Sequence, residues 1–344
     1  LSTRQILREA VAEMAEQGYV MQAGLEIEFH VFKTIEANMQ LEHSGQPGEP
    51  PTVELLTHGY QYITEQRLDR VDELMQLLRE QLQALQLPLR TLEVEFGPSQ
   101  FEITFAPMGA LEAADTMVLV RSAIKQICHR HGLHATFMCR PKIPNVMSSG
   151  WHLHQSLLCL RTGKNAFMPE GGAEALSDLG NQYLGGLVKH ARATGPFATP
   201  PINGYRRYRT FSLAPDRANW ARDNRAAMLR VLGGLGQTAS RIEDRIGEPA
   251  ANPYLYLASQ LYSGLDGMQL HLDPGPSADT PYISDSQPLP RSLGEALSAL
   301  KEDAYLYEKF GSGFVNYYCF LKEAELSRFN LAVSEWEQKE YFDL

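Results

Sequence analysis

Ala23–Phe32, AGLEIEFHVF, is the stretch whose reading decides the fold. Apolar and polar residues alternate along it, the pattern of a half-buried strand. Successive side chains of a strand point to opposite faces. Glu26 and Glu28 therefore share one face, and Leu25, Ile27 and Phe29 share the other. Two neighbouring carboxylates repel, and burying them unpartnered is costly. The arrangement asks for a cation.

The same pattern recurs further along. TLEVEFGPSQFEITF, Thr91–Phe105, places Glu93 and Glu95 on one face, and the turn GPSQ brings Glu102 back beside Glu95. WHLHQSL, Trp151–Leu157, puts His152 and His154 together with Trp151 and Leu153 opposite. RIEDR puts Arg241, Glu243 and Arg245 on one face. Glutamates with one or two imidazoles form an oxygen-rich set suited to Mg²⁺ or Mn²⁺. A two-ion site of that kind clamps phosphate oxygens. From Arg206 to Arg245 there are nine arginines against four acidic residues. Arginine matches phosphate and carboxylate bidentately. Metal carboxylates with anion-binding arginines point to phosphoryl transfer, which runs on positioning and charge neutralisation. Taken singly, each signal has an ordinary reading: Glu-x-Glu as a solvated outer face, His-x-His as a surface pair, arginine excess as surface charge. Neither GxxxxGK[ST] nor GxGxxG occurs, so a P-loop or Rossmann site is not supported.

Around these stretches the chain is ordinary globular protein. It has 344 residues, 44% hydrophobic and 21% charged, with ample material for a core. A net charge of −10 argues against nucleic acid or an anionic membrane as partner. Cys128, Cys139, Cys159 and Cys319 are scattered without a CxxC pair, which suits a reducing cytoplasm. No apolar run approaches a membrane span. The opening LSTRQILREAVAEMAEQGY is an amphipathic helix rather than a signal peptide, and a chain that begins with Leu at a helix suggests a preceding portion. Helices are expected near Glu65–Leu87, Leu111–His131, Ala173–Thr194, Asn252–Gly267, Leu293–Glu302, Phe314–Phe329 and Val333–Phe342. Strands are expected at Arg90–Phe96, Gln100–Phe105, Ala135–Arg140 and from Trp151. ANMQLEHSGQPGEPPTVE and LDPGPSADTPYISDSQPLP read as surface loops. Helices intermixed with non-sequential strands, without alternating βαβ units, indicate α+β with a mostly antiparallel sheet.

Taken in order, GLEIEF, EFGPSQFE, SGWHLHQSL, NGYRRY, APDRANWARDNRAAMLRV, SRIEDRIGEPAANPYLYLASQLYSGLDG and VSEWEQKEYFDL resemble the glutamine synthetase family across nearly the whole chain. The resemblance implies an α+β catalytic domain over residues 1–344, with a curved, mostly antiparallel sheet flanked by helices. It implies that the family's small N-terminal β-domain is absent here, and that the protein is a cytoplasmic homo-oligomeric ring, a dodecamer. It implies ATP and two or three Mg²⁺ or Mn²⁺ as cofactors. Glu28, Glu95 and Glu102 would hold one ion and Glu26, His152 and Glu243 another. Arg207 and Arg245 would bind glutamate's carboxylates, Arg225, Arg230 and Arg241 would contact phosphates, and His154 and Ser156 would lie toward the nucleotide. Arg225, Arg207 and Glu243 would be the catalytic set. The implied reaction phosphorylates the γ-carboxylate of glutamate and then lets an amine displace phosphate.

The departures from the family pattern bear on the acceptor. Ammonia-using members carry a Glu just before Ala-Pro in the loop after NGYRRY; here RTFSLAP places Leu213 there. A leucine neither attracts ammonium nor takes its proton, and it favours an apolar group. Leu213 and Phe211 are thus the expected acceptor pocket. SLAPDRANWARDNRAA also resembles the branch that makes γ-glutamyl amines and γ-glutamyl polyamines. Met147 and Ser148 stand where the family has Asn-Gly, and Ser99 stands where Gly is usual. The expected activity is an ATP-dependent ligase joining glutamate to a small organic amine. An ammonia-using glutamine synthetase is the alternative, and a catalytically silent scaffold a second, which the full set of six Glu and His ligands disfavours.

Overall fold

The computed structural model describes residues 2–60, 63–172 and 174–344. Among these residues ten strands form one sheet. They are β1 (Tyr19–Glu36), β2 (Thr52–Leu55), β3 (Leu89–Val94), β4 (Gln100–Phe105), β5 (Met108–Gly109), β6 (Leu133–Thr136), β7 (Trp151–Cys159), β8 (Trp220–Arg222), β9 (Leu229–Leu232) and β10 (Arg241–Asp244). The order is β3-β4-β1-β7-β10-β9-β8, with β2, β5 and β6 also pairing with β1. Every pairing is antiparallel except β8 with β9. The α+β, mostly antiparallel reading holds.

β1 carries the opening stretch and organises the sheet. Its alternation sends Leu25, Ile27 and Phe29 into the core, each at most 1% exposed. Register preserves the faces across the neighbours: Ile27 lies opposite Trp151 and Leu25 opposite Leu153 on the apolar side, and Glu26 opposite His152 on the other. Trp151 is fully buried and edge-on to Tyr256, which fits its place on the face opposite the histidines.

Among the described residues eleven helices accompany the sheet: α1 (Thr3–Glu16), α2 (Glu65–Asp69), α3 (Asp72–Ala84), α4 (Ala110–Arg130), α5 (Asp178–His190), α6 (Gly195–Ala198), α7 (Pro253–Gln269), α8 (Leu293–Glu302), α9 (Ala304–Phe310), α10 (Ser312–Leu331) and α11 (Glu335–Tyr341). α1, capped by the Ser2 side chain on the Gln5 amide, buries Ile6, Leu7, Ala10 and Met14. α7 is buried along most of its length and packs on α1, α4 and α5. No described helix is long and apolar enough to cross a membrane.

Several element boundaries differ from the sequence reading. The helix expected over 65–87 breaks at Arg70–Val71 into α2 and α3. The helix expected from Ala173 begins at Asp178, where Ser177 caps it, and positions 1 and 173 lie outside the described residues. β6 covers Leu133–Thr136 instead of 135–140, and α9 was not foreseen. The first loop contains β2, which pairs with β1. The second is tied down, since Arg217 donates to the Tyr282 and Ser286 carbonyls at 3.1 and 3.0 Å.

The turn between β3 and β4 also corrects a detail. Glu102 lies opposite Glu93 on β3 and opposite Glu28 on β1, rather than beside Glu95, whose amide donates to the Gln100 carbonyl. Ser99 sits in that turn at φ +54°, a conformation that favours glycine. Its hydroxyl offsets the strain by accepting from the Leu56 amide at 2.7 Å and the Thr57 amide at 3.3 Å.

Candidate active site

The polar faces of β1, β3, β4 and β7 converge on a cleft of about 510 Å³, while Glu243 and Arg241 on β10 lie outside its lining. Glu26, Glu28, Glu93, Glu95, Glu102, His152, Arg207, Arg225, Arg230, Arg245 and Leu213 all line it. A larger groove of about 1090 Å³ lies elsewhere, between residues 46–48, the Pro201–Arg206 segment and α10, and holds none of the expected groups.

Hydrogen bonds fix the imidazoles. His152 Nδ1 lies 2.7 Å from Glu26 Oε1, and its Nε2 receives Arg207 Nη2 at 3.2 Å. His154 Nδ1 accepts from Arg241 Nε at 3.0 Å, which leaves Nε2–H to donate to Glu26 Oε2 at 2.9 Å. Each ring thus has a neutral tautomer compatible with all its partners. Burial, and then the charge of Arg245, push His152 down to about 4. Burial pushes Glu26 up, but the hydrogen bonds from His152 and His154 outweigh it and hold the carboxyl well below its usual range. The other acids behave oppositely. Burial, then the charge of Glu95, raise Glu28 to about 7. Burial, then Glu26 and Glu28, push Glu102 up to about 10. Burial raises Glu95 as well. A cluster of carboxylates that resists ionisation this strongly is one that a divalent cation would relieve.

Ligand atoms of Glu26, Glu102 and His152 lie within 4.8 Å of one another, as do those of Glu26, His154 and Glu243. The residues fit a divalent cation, and Glu26 belongs to both groups. The grouping cuts across the expected division: Glu102 joins Glu26 and His152, and His154 stands with Glu26 and Glu243. Glu95 turns to its own strand end, accepting from the Phe96 amide at 2.7 Å.

The arginines surround these acids. Arg245 Nη1 donates to Glu243 Oε1, and Arg230 donates to Glu243 Oε2 at 3.1 Å and to Asp223 at 3.0 Å. For Glu243, burial acts upward, but Arg245 and His152 outweigh it and the carboxyl ends lowered. Arg207, 5% exposed, donates to the Arg245 carbonyl at 2.8 Å. Gly150 makes room for it: a Cβ there would lie 2.5 Å from Arg207 Nη2 and 3.0 Å from His152 Nε2. The Gly150 amide also donates to Glu28 Oε2 at 2.8 Å. Arg225 lies exposed at the rim. Ser156 is half-buried on β7, opposite Gln22.

The acceptor loop divides its two expected residues. Leu213 lines the cleft at φ +60°, its carbonyl accepting from Arg245 Nη2 at 3.3 Å. Phe211 does not line it; it is 80% exposed and sits edge-on to Tyr282. Six lining residues escaped the sequence reading of the site: Phe96, Gln100, Arg140, Arg209, Ser212 and Ala214. Gln100 Nε2 bonds Glu28 at 3.2 Å and Ser149 at 3.1 Å, and its place inside EFGPSQFE was the available signal. Arg209 directly follows NGYRRY. Arg140 lies outside every motif.

The profile of the glutamine synthetase catalytic domain matches residues 1–341. A γ-glutamylanilide synthase of Acinetobacter sp is 47% identical over 360 positions, covering 100% of this chain and 72% of that protein. A glutamate–isopropylamine ligase of Pseudomonas sp is 33% identical, covering 100% and 74%. A glutamine synthetase of Pyrococcus furiosus is 32% identical, covering 99% and 77%. Among solved structures, GmaS in complex with ADP superposes with a TM-score of 0.82 at 26% identity, covering 100% of this chain and 77% of that one.

Proposed function

This chain belongs to the glutamine synthetase family, and on that premise we propose that it is an ATP-dependent ligase that joins the γ-carboxylate of glutamate to an organic monoamine. The observation that carries the acceptor is Leu213. It lines the cleft in a loop, 207–215, that offers no carboxylate. Phe96, Met147 and Ala214 line the cleft too, so part of its wall is apolar. Such a wall favours a neutral amine with a hydrocarbon body and gives ammonium no counter-charge. The relatives named for anilide and isopropylamide formation support the same class.

In the first step a γ-carboxylate oxygen attacks the γ-phosphorus of ATP, the bond to ADP breaks, and γ-glutamyl phosphate forms. In the second the amine nitrogen attacks the acyl carbon, phosphate leaves and the nitrogen loses a proton. Glu26, Glu28, Glu95, Glu102, His152 and Glu243 would hold two or three Mg²⁺ or Mn²⁺ ions, with His154 beside them. Bound there, the cations supply charge neutralisation for phosphate oxygens. Arg225, Arg230 and Arg241 neutralise the transferring group, Ser156 lies toward the nucleotide, and Arg207 with Arg245 receives glutamate's carboxylates. Glu243 holds Arg230 and Arg245 at fixed positions between these tasks. Assembly into a homo-oligomeric ring in the cytoplasm belongs to the same reading.

The test is phosphate release with ATP, Mg²⁺ and glutamate, comparing ammonia, alkyl and aromatic monoamines, and polyamines. A monoamine should exceed ammonia in kcat/KM, and Leu213→Glu should move the preference toward ammonia. Ammonia as the best acceptor of the wild type would overturn the proposal.

A further inference from the structure

We infer that Arg140 is a recognition residue for the carboxylate of glutamate that is not phosphorylated, acting beside Arg207; this rests on the glutamate-ligase reading above. The arginines of the cleft sort by what they already hold. Arg230 is paired with Asp223 and Glu243, and Arg245 with Glu243. Arg209 and Arg225 stand exposed to water at the cleft, and Arg241, outside its lining, is bonded to His154 and to the Ala239 carbonyl. Arg140 lines the same cleft, half-buried, and among the described residues its guanidinium donates to Ser148 Oγ alone, at 2.9 Å. No carboxylate of the described residues pairs with it. Arg207 is in the same condition, donating to two backbone carbonyls and to His152. Guanidinium groups drawn out of water with donors to spare are completed by an anion, and a carboxylate matches their fork.

Placement argues for the same pairing. The Arg140 amide donates to Asn203 Oδ1 at 2.8 Å, and Asn203 Nδ2 donates back to the Arg140 carbonyl at 3.1 Å. Asn203 belongs to the helical turn Ile202–Arg206, which leads directly into Arg207. The two cleft arginines that are drawn out of water without a carboxylate partner among the described residues are therefore carried on one hydrogen-bonded unit. The γ-carboxylate must reach the phosphoryl group beside the acidic cluster, where Arg230 and Arg245 bind Glu243. The remaining carboxylate then falls to the arginines free of that cluster. Ser148, one of the two departures from the family pattern in this loop, supplies the hydroxyl that aims Arg140.

Arg140→Met and Arg140→Lys test the assignment; the Asn203 bonds use only the backbone of residue 140, so they survive either change. KM for glutamate should rise roughly tenfold to a hundredfold in Arg140→Met, the fold-change of one lost charge-assisted hydrogen bond. kcat and KM for ATP should stay near wild type. 4-Aminobutyrate, which lacks the α-carboxylate, should compete against glutamate with an unchanged inhibition constant. Arg140→Lys should recover part of the loss, and Ser148→Ala should show a smaller one. An unchanged KM for glutamate, or a parallel weakening of glutamate and 4-aminobutyrate, would overturn the assignment while leaving the ligase reading intact. A wild type that turns over no glutamate with any amine would instead overturn the reading beneath it.

Discussion

Glu102 lies across the sheet from Glu28 and Glu93 and is pushed up to about 10, first by burial and then by the charges of Glu26 and Glu28. Glu28 is raised to about 7 by burial and by Glu95. A carboxyl whose folded pKa exceeds its unfolded one binds more protons when folded, so stability falls as pH rises between the two values. His30 and His152, both lowered to about 4 by burial, act in the opposite sense, and their effect ends near the unfolded imidazole value of about 6.5. Above that pH only the downward slope from the acids remains. The melting temperature of cation-free protein should therefore decline from about pH 6.5 toward pH 10, and added Mg²⁺ or Mn²⁺ should flatten the decline. Glu102→Gln should melt higher than wild type at pH 8 without cation, by about 2–4 °C for each kcal/mol of repulsion removed, and respond less to cation. A wild-type melting temperature that is level across that range would show that the cluster is not repulsive. The acids themselves were legible from alternation alone, because a strand period of two assigns faces without ambiguity. Which acid lies next to which was not. Register around the turn depends on Ser99 holding a positive φ, and nothing in the residue type announces that. Phe211 and Leu213 show the same limit, since both have φ of 60° yet only Leu213 lines the cleft.

At the scale of elements, the contact that seats α7 against the rest is its close approach to α5. Gly186 on α5 faces Ser263 and Gly267 on α7, and a Cβ at residue 186 would fall inside the contact radius of the Ser263 carbonyl and 2.8 Å from the Gly267 amide nitrogen. Both obstacles are backbone, so neither can swing aside. Gly186→Ala should force the helices apart and cost about 1–3 kcal/mol or more, as overpacking of a tight interior does. Chemical denaturation checks this, and a stability equal to wild type would mean that the pair can separate freely. The helices themselves were readable because their apolar residues recur at helical spacing. Their breaks and short members were less so. Leu68 and Val71 continue the apolar period across the junction of α2 and α3, which conceals the break, and α9 has only 7 residues, too few to display a period.

At the scale of the molecule, a strand of 18 residues that pairs with five others joins segments as far apart as Thr52 and Cys159. Local pattern identifies such strands singly but not their order, because order is set by long-range pairing. Here the family resemblance implied one mostly antiparallel sheet, and the order of its strands is set by the pairings themselves. The surface raises the remaining question of assembly. Phe320 is 66% exposed, Phe329 48%, Trp336 61% and Phe342 76%, all on or at the end of α10 and α11. Large aromatic side chains gathered on the last two helices are unusual for a monomer in water and suit contact with another subunit. If the protein forms a ring and these helices contribute to it, Phe320→Glu combined with Trp336→Glu should lower the particle mass seen by light scattering, because each burial of carboxylate in an apolar contact is strongly unfavourable. The circular dichroism spectrum should be unchanged, since neither side chain belongs to the buried core. Loss of mass with retained phosphate release would place the active cleft within one subunit's reach. Loss of both would show that a neighbouring subunit completes it. A double variant of unchanged mass would remove α10 and α11 from the interface.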